Sequence, residues 1–150
     1  MELKKIELNN RSIFVIGNVS LLDNHKTGLF CSRKCPADKI MEAHDQFKIW
    51  ARDKRTVISG FHSPVEKECL RVFLKSAGNI ILCPARGILN MRIRSEWKPL
   101  MEAGRLLIIS PFDDSIRRAS QKIAQKRNEF IKSVSDEIVV VYASAGSLLS

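Results

Sequence analysis

The chain has 150 residues, of which 45% are hydrophobic and 27% are charged, a balance typical of a globular protein with one core. No apolar run is long enough to span a bilayer, and the N-terminus lacks the apolar segment of a signal peptide. We therefore expect a cytoplasmic protein with no membrane association. The formal net charge of +9 favours an anionic partner, although charge alone does not identify it.

Six apolar runs along the chain have the length of β-strands. Several are continuous rather than alternating, which is typical of strands that are buried on both faces. The predicted strands are residues 12–17, 28–32, 56–59, 79–83, 106–109 and 137–142. Residues 1–11 are expected to be a short N-terminal extension of a single domain that covers residues 1–150.

Segments with helical periodicity separate most of these strands. Pro36 and the pair Ser63-Pro64 are typical helix starts, and Gly78 and Gly104 are typical of helix ends. The predicted helices are residues 36–53, 64–77, 95–103 and 114–134, the last with one break. Alternation of strands and helices predicts an α/β fold with a Rossmann-like parallel sheet and helices on both faces.

A basic turn follows the second predicted strand. "GLFCSRKCP", residues 28–36, places Ser32, Arg33 and Lys34 between the end of a strand and the start of a helix. The carboxyl ends of parallel strands are where ligands bind in open α/β sheets, and a helix N-terminus adds partial positive charge. A phosphate site and a solvated basic turn explain this stretch equally well.

Three further stretches reach the same edge of the predicted sheet. Ser59 and Gly60 end a strand, and glycine lets backbone approach a ligand closely. Arg127 lies on the apolar face of the last helix beside Asn128, so it needs either a carboxylate or a polar crevice. Gly146 and Ser147 follow the last strand and offer backbone and hydroxyl donors, although a frayed terminus accounts for them as well.

The sequence contains no recognised catalytic or metal-binding motif. Walker A, G-x-G-x-x-G and G-x-S-x-G patterns are missing, so we predict no cofactor, no catalytic residue and no enzyme activity. Cys31 and Cys35 lack the spacing of a zinc site, and no paired histidine completes one. We therefore expect reduced, mostly buried cysteines.

The order of these motifs is similar to the Rossmann-like domain of the DNA-processing protein A family (DprA, also called Smf). "SIFVIGNVSLLDNHKTGLFCSRKCP" resembles the start of that domain, where the family has a strand that ends in G-S-R. "VISGFHSPVEKECLRVFLKSAGNIILC" resembles its V-S-G segment, helix and next strand. "KRNEFIKSVSDEIVVVYASAGSL" is similar to its R-N-R stretch, final strand and S-G-S-L. The resemblance covers residues 12 to 150.

The resemblance implies a function and a set of site residues. Members bind single-stranded DNA in a basic pocket, load the RecA recombinase during natural transformation, and are commonly homodimers. At matching positions the pocket would contain Ser32, Arg33, Ser59, Gly60, Arg127, Asn128, Gly146 and Ser147, with Lys34 beside it. Lys75 matches a basic residue that the family often has before a glycine-rich turn. Glu129 stands where the family has its second arginine.

Two other readings remain open at the level of sequence. One is a nucleotide-binding sensor, or a protein like the nucleoside-monophosphate phosphoribohydrolases of the same superfamily. Those enzymes carry P-G-G-x-G-T-x-x-E, whereas this chain has "CPARGILNM" with no glutamate, which counts against hydrolysis. The other is an interaction domain that has lost its ligand, and the presence of Arg33 and Arg127 argues against it.

Overall fold

A seven-stranded mixed sheet forms the centre of the protein, of which the computed structural model describes residues 2–147. The order of the strands across the sheet is β1-β2-β6-β5-β4-β3-β7. In chain order the strands are β1 (Lys4–Leu8), β2 (Arg11–Gly17), β3 (Lys26–Phe30), β4 (Thr56–Ser59), β5 (Asn79–Leu82), β6 (Leu106–Ser110) and β7 (Glu137–Val140).

Five neighbouring strands are parallel, and this confirms the predicted α/β class. β6, β5, β4, β3 and β7 pair in parallel across the sheet. The segments that follow these strands therefore leave from one edge of the sheet. Strands β3, β4, β5 and β6 are almost entirely buried, as their continuous apolar runs predicted, whereas β7 alternates between half-buried and exposed residues.

The expectation that residues 12–17 form another parallel strand was wrong. β2 runs antiparallel to β6, and β1 runs antiparallel to β2. Asn9 and Asn10 form the two-residue turn between them with φ of 52° and 62°. Positive φ at both positions suits a tight β-hairpin, and asparagine tolerates it. The segment expected as a mere extension thus adds the edge strand β1.

Helices cover both faces of the sheet, as predicted. The helices are α1 (Ala37–Arg52), α2 (Pro64–Lys75), α3 (Lys98–Glu102) and α4 (Gln121–Val134), with 3-10 turns at Val19–Asp23 and Ser95–Trp97. Phe47, Trp50 and Phe73 pack with β4–β6 on one face. Phe130 and Ile131 of α4 pack on the other face. Among the described residues, no helix is both long enough and apolar enough to cross a membrane.

The starts of α2 and α4 lie at the carboxyl edge of the parallel strands, and each is fixed by a capping serine. Ser63 and Glu66 form a reciprocal capping box at the start of α2, with Pro64 in its first turn. Ser120 caps α4 by accepting a hydrogen bond from the Ile123 N–H. The predicted helix over residues 114–134 therefore begins at Gln121, and the residues before it form turns.

Candidate functional site

Ser32 connects the end of β3 to the segment that follows β7. Its backbone N–H donates to the Tyr142 carbonyl over 2.9 Å. Its hydroxyl accepts from the Ser144 N–H at 2.9 Å and lies 3.1 Å from the Ser147 hydroxyl. These bonds hold together two loops that are 110 or more positions apart, and they leave Arg33 exposed beside them.

Glu66 fixes the other side of this edge. The side chain is only 7% exposed. One carboxylate oxygen accepts from the N–H groups of His62 and Ser63, at 2.9 and 3.2 Å. The other oxygen accepts from the Cys31 N–H at 2.9 Å. Glu66 thus ties the loop after β3 to the start of α2, and hydrogen bonds to backbone use both of its oxygens.

Arg127 reaches the strand ends from α4. It is only 8% exposed. Its Nε donates to the Asn128 side-chain oxygen at 2.8 Å, and Nη1 donates to the Cys83 carbonyl at 3.3 Å. Among residues 2–147, no carboxylate lies within ion-pair distance of this guanidinium. From the sequence we expected Arg127 to pair with a carboxylate or to reach a polar crevice, and in the structure it reaches a crevice.

The turn after β4 makes room for that guanidinium. The Ser59 hydroxyl is fully buried and accepts from the Phe61 N–H at 3.0 Å. This bond stabilises Phe61 in the left-handed region with φ of 49°, a conformation that costs energy for a bulky residue. Gly60, between them, packs directly against Arg127. Ser59 therefore stabilises the turn from within the core.

Two adjoining cavities lie along this edge of the sheet. The central cavity has a volume of about 560 Å³ and lies between the loop after β3, the start of α4 and the segment after β7. Its lining includes Cys31, Ser32, Arg33, His62, Ser63, Glu66, Ser120, Gln121, Arg127, Asn128, Gly146 and Ser147.

The lateral cavity has a volume of about 520 Å³ and lies between α2 and residues 82–97. Its lining includes Gly60, Phe61, Lys67, Leu70, Arg71, Leu74, Pro84, Arg86, Met91, Arg94, Glu96 and Trp97. His62, Ala119, Ala124 and Arg127 line both cavities. The two spaces are therefore neighbours on either side of the same guanidinium.

The structure brings together most of the residues that the sequence singled out. Six of them line the central cavity: Ser32, Arg33, Arg127, Asn128, Gly146 and Ser147. Gly60 lines the lateral cavity.

Three of the singled-out residues line neither cavity. Lys34 is exposed beside the central cavity, and Ser59 is buried beneath the turn. Lys75 lies in the last turn of α2. Because α2 begins at the carboxyl edge of the strands, Lys75 is at the opposite edge.

Sequence reasoning missed the basic residues of the lateral cavity. Lys67, Arg71, Arg86 and Arg94 line it, and none of these four residues was assigned to the site from the sequence. Lys67 had one available signal, since a residue in the first turn of α2 has to lie near the end of β4. Arg86 and Arg94 lie in an irregular segment with no periodicity, so their side chains could not be placed from the sequence.

Burial and charge set the protonation of the site. Partial burial lowers the pKa of His62, and the neighbouring charges of Arg33 and Arg127 lower it further. Burial raises the pKa of the Cys31 thiol and of the Cys83 thiol to about 12 in each case. All four cysteines are free. At neutral pH the site therefore presents arginines, a neutral imidazole and protonated thiols.

The fold and this edge define a class: a Rossmann-like α/β protein with an arginine-lined crevice at the ends of its parallel strands. The chain belongs to the DNA recombination-mediator protein A family, whose model matches residues 1–150. This confirms the resemblance to DNA-processing protein A that the motif order indicated. No curated protein matches the sequence.

Two solved structures share the fold. A structure that concerns the single-stranded DNA binding mode of DNA processing protein A from Helicobacter pylori matches with a TM-score of 0.76 at 16% identity. The match covers 99% of this chain and 73% of the Helicobacter pylori chain. DNA processing protein A from Streptococcus pneumoniae matches with a TM-score of 0.72 at 18% identity, over 91% of this chain and 48% of that one. The chain thus spans about half of the Streptococcus protein.

Proposed function

We propose that this protein binds single-stranded DNA, without chemical turnover, by holding backbone phosphates in the central cavity. The observation that carries the proposal is Arg127, a buried guanidinium that has no carboxylate partner among the described residues and that lines the cavity. A buried, uncompensated charge is costly. A phosphate oxygen would offset that cost with a charge-assisted hydrogen bond.

The other groups around the cavity suit a phosphate diester. Arg33 supplies a second, exposed positive charge from the loop after β3. The start of α4, at Ser120 and Gln121, contributes the partial positive charge of a helix N-terminus. Two arginines in the lining of one cavity favour an extended anionic backbone that contacts both of them.

The bonding of the Glu66 carboxylate favours a binding function for the central cavity over a catalytic one. Glu66 is the one acidic side chain among the described residues that line this cavity. Both of its oxygens accept hydrogen bonds from backbone N–H groups. A general acid or base needs an oxygen directed at the substrate, so Glu66 acts as a structural acceptor.

A single strand fits the recessed arginine better than a duplex does. Arg127 is buried, so a phosphate reaches it only if the backbone bends into the cavity. Duplex DNA is stiff over tens of base pairs, and bending it costs several kcal/mol, on the order of 1–6 kcal/mol for a short site. The Helicobacter pylori neighbour, whose structure concerns single-stranded DNA binding, adds support.

Family membership extends the proposal to recombination. We also propose that this chain delivers single-stranded DNA to the RecA recombinase during natural transformation. It would do so in the cytoplasm and as a homodimer. Measurement of RecA filament growth on DNA coated with a single-strand-binding protein, with and without this chain, tests the first part. Sedimentation analysis of the oligomeric state tests the second.

The primary experiment is fluorescence anisotropy with a labelled single-stranded oligonucleotide over a salt series. We expect tight binding that weakens steeply between about 50 and about 200 mM salt. Arg127→Ala and Arg33→Ala should each weaken binding by about tenfold or more. Each should also lower the salt slope by about 1. Arg52→Ala is the matched control, because Arg52 is exposed in the last turn of α1 at the opposite edge.

The outcomes separate the candidate functions. Unchanged binding in both site variants, with thermal unfolding confirming that they are folded, would contradict the central cavity as the site. Weak DNA binding together with competition by a free nucleoside monophosphate would favour the nucleotide sensor instead.

A further inference from the structure

Two cysteines lie at the ends of the basic loop, residues 31–35, that follows β3. Cys31 and Cys35 enclose Ser32, Arg33 and Lys34. Cys31 is only 4% exposed, belongs to the core and lines the central cavity. Cys35 is half-buried and packs against the same part of the core. The loop that carries the exposed arginine of the proposed DNA site therefore begins and ends with a thiol.

The thiols of Cys31 and Cys35 are in contact with each other. Burial is the main cause of the raised pKa of Cys31, and Cys35 raises that pKa further, through its charge and through a side-chain hydrogen bond. Such a bond forms only where the two sulfur atoms are close in space. The remaining cysteines, Cys69 and Cys83, are fully buried in α2 and after β5. Cys31 and Cys35 are therefore the pair that the structure places in position to form a disulfide.

The residues between these two thiols are free to rearrange. Ser32 is bonded to the segment after β7, and the Pro36 carbonyl accepts the first hydrogen bond of α1. Among residues 2–147, no hydrogen bond or ion pair involves Arg33 or Lys34. A disulfide requires the two sulfur atoms to be about 2.05 Å apart with a restricted dihedral angle. The basic loop can adopt that geometry without losing a hydrogen bond of Arg33 or Lys34.

The oxidation needs an electron acceptor, and hydrogen peroxide is one of the required chemical class. Cys35 is the more accessible thiol, and it directly precedes the N-terminus of α1. The partial positive charge of a helix N-terminus is typical of the surroundings of cysteines that react with oxidants. The Cys35 thiolate attacks one peroxide oxygen and the O–O bond breaks. A sulfenic acid remains on Cys35, and the hydroxide that leaves takes up a proton to become water.

Cys31 completes the reaction as the resolving thiol. Its sulfur attacks the sulfenic sulfur of Cys35, the S–O bond breaks, and the S–S bond forms. The proton of the Cys31 thiol leaves with the hydroxyl group as a second molecule of water. Two thiols are thus oxidised to one disulfide while one hydrogen peroxide is reduced to two molecules of water.

We propose that Cys31 and Cys35 are an oxidation site, at which a peroxide forms a disulfide that weakens DNA binding by the basic loop. The ring closed by the disulfide contains Arg33, so the guanidinium is displaced from the position that it takes in the reduced protein. The effect on affinity rests on the proposed binding of single-stranded DNA, whereas the disulfide itself forms without DNA. Disulfides that form in a reducing compartment are typically transient and redox-sensing.

The first measurement is chemical and uses no DNA. The reduced protein is treated with hydrogen peroxide, the remaining thiols are alkylated with N-ethylmaleimide, and unreduced peptides are identified by mass spectrometry. We expect a disulfide between Cys31 and Cys35, a loss of two hydrogen atoms from the intact mass, and reversal by dithiothreitol. Cys69 and Cys83 should be alkylated only after denaturation, because both are fully buried.

The second measurement is the affinity of the oxidised protein for a labelled single-stranded oligonucleotide. Oxidation should weaken binding about threefold to tenfold and lower the salt slope by about 1, because the phosphate contact of Arg33 is lost. Arg33→Ala should already have this lower affinity, and oxidation should not reduce it further. Cys35→Ser forms no disulfide, so peroxide should leave its affinity unchanged. Cys69→Ala is the matched control, since it removes a cysteine outside the basic loop and should respond to peroxide as the natural protein does.

Each outcome supports or overturns the oxidation site. If peroxide oxidises free cysteine in solution but forms no disulfide between Cys31 and Cys35, the site is overturned. A disulfide from Cys31 to Cys69, or one between two chains, also overturns it. A disulfide that forms as expected but leaves affinity unchanged overturns the effect on binding. If the reduced protein binds no DNA at low salt, the proposed function fails, and the peptide masses alone then decide whether the disulfide forms.

Discussion

The guanidinium of Arg127 occupies the space that a side chain at residue 60 would need. A Cβ on Gly60 would lie within 2.5 Å of the guanidinium carbon. The backbone of Gly60 is outside the left-handed region, so glycine is required for space and not for conformation. Because residue 60 has no side chain, the buried Arg127 on α4 can reach the ends of β4 and β5.

Gly60→Ala should weaken DNA binding almost as much as Arg127→Ala does. The added methyl group displaces the guanidinium, which is the flexible end of its side chain, so the fold should be retained. We expect a loss of about tenfold in affinity, with a change in the free energy of unfolding below about 1 kcal/mol. Anisotropy and urea unfolding measure the two effects.

The double variant provides the check on Gly60→Ala. In the Arg127→Ala background the overlap no longer exists, so alanine at residue 60 should not reduce affinity further. It should instead stabilise the fold by about 0.4–1 kcal/mol, because alanine restricts the unfolded chain. A second loss of affinity in the double variant would show that residue 60 contacts DNA independently of Arg127.

Two lysines of α2 test which edge of the sheet binds DNA. Lys67 lies near the start of the helix and lines the lateral cavity, whereas Lys75 lies in the last turn. We expect Lys67→Ala to weaken binding about threefold to tenfold and to lower the salt slope by about 1. Lys75→Ala should leave both unchanged in the same anisotropy series. The reverse result would favour the position that the family resemblance assigned to Lys75.

Affinity for DNA should rise as the pH falls, because His62 takes up a proton when a phosphate binds. Burial, Arg33 and Arg127 lower the pKa of His62 in the free protein, while Glu66 opposes this. A bound phosphate neutralises the two arginines and therefore raises that pKa. The affinity gain develops as the pH falls through the pKa of the complex, and it is complete below the lower pKa of the free protein.

Anisotropy between about pH 5 and about pH 8 measures this dependence. His62→Gln should remove most of the slope. His44→Gln should keep it, since His44 contacts Glu68 and lines neither cavity. A slope that survives in His62→Gln would assign the proton uptake to another group.

Periodicity was sufficient to predict the burial of Arg127, but not its partners. The apolar residues Ile123, Phe130 and Val134 define one face of α4, and Arg127 falls on it, so local geometry places it against the sheet. Its contact with the Cys83 carbonyl joins positions 44 residues apart. Such a contact depends on strand order, which no local pattern contains. The cavity beside Trp97 was missed for the same reason.

The order of strands and helices was enough to predict that Lys75 lies away from the crevice, although the comparison of motifs had placed it in the site. A helix that begins at the carboxyl edge of β4 has to end near the amino edge of β5, so its last turn lies away from the crevice. The hairpin of β1 and β2 could also be predicted. Asn9-Asn10 separates a short run in which polar and apolar residues alternate, residues 5–8, from the apolar run at residues 13–16. A pair of asparagines between two such runs is typical of a two-residue turn.

Glu66 links stability to the geometry of the site, because its carboxylate accepts from three N–H groups on two separate loops. Glu66→Gln keeps one acceptor oxygen and replaces the other with a donor. If the remaining oxygen stays on His62 and Ser63, the new amide faces the Cys31 N–H. Two donors then oppose each other in a buried place, which costs about 1–3 kcal/mol.

We therefore expect Glu66→Gln to lower the free energy of unfolding by about that amount in urea titrations. It should also weaken DNA binding, because the loop that carries Ser32 and Arg33 loses its connection to α2. Glu102→Gln, at an exposed position in α3, should change neither. Equal stability of the two variants would mean that the Cys31 N–H finds another acceptor. The position of Arg33 would then depend on the bonds that Ser32 makes to the segment after β7, and Ser32→Ala would become the variant that uncouples the loop from the cavity.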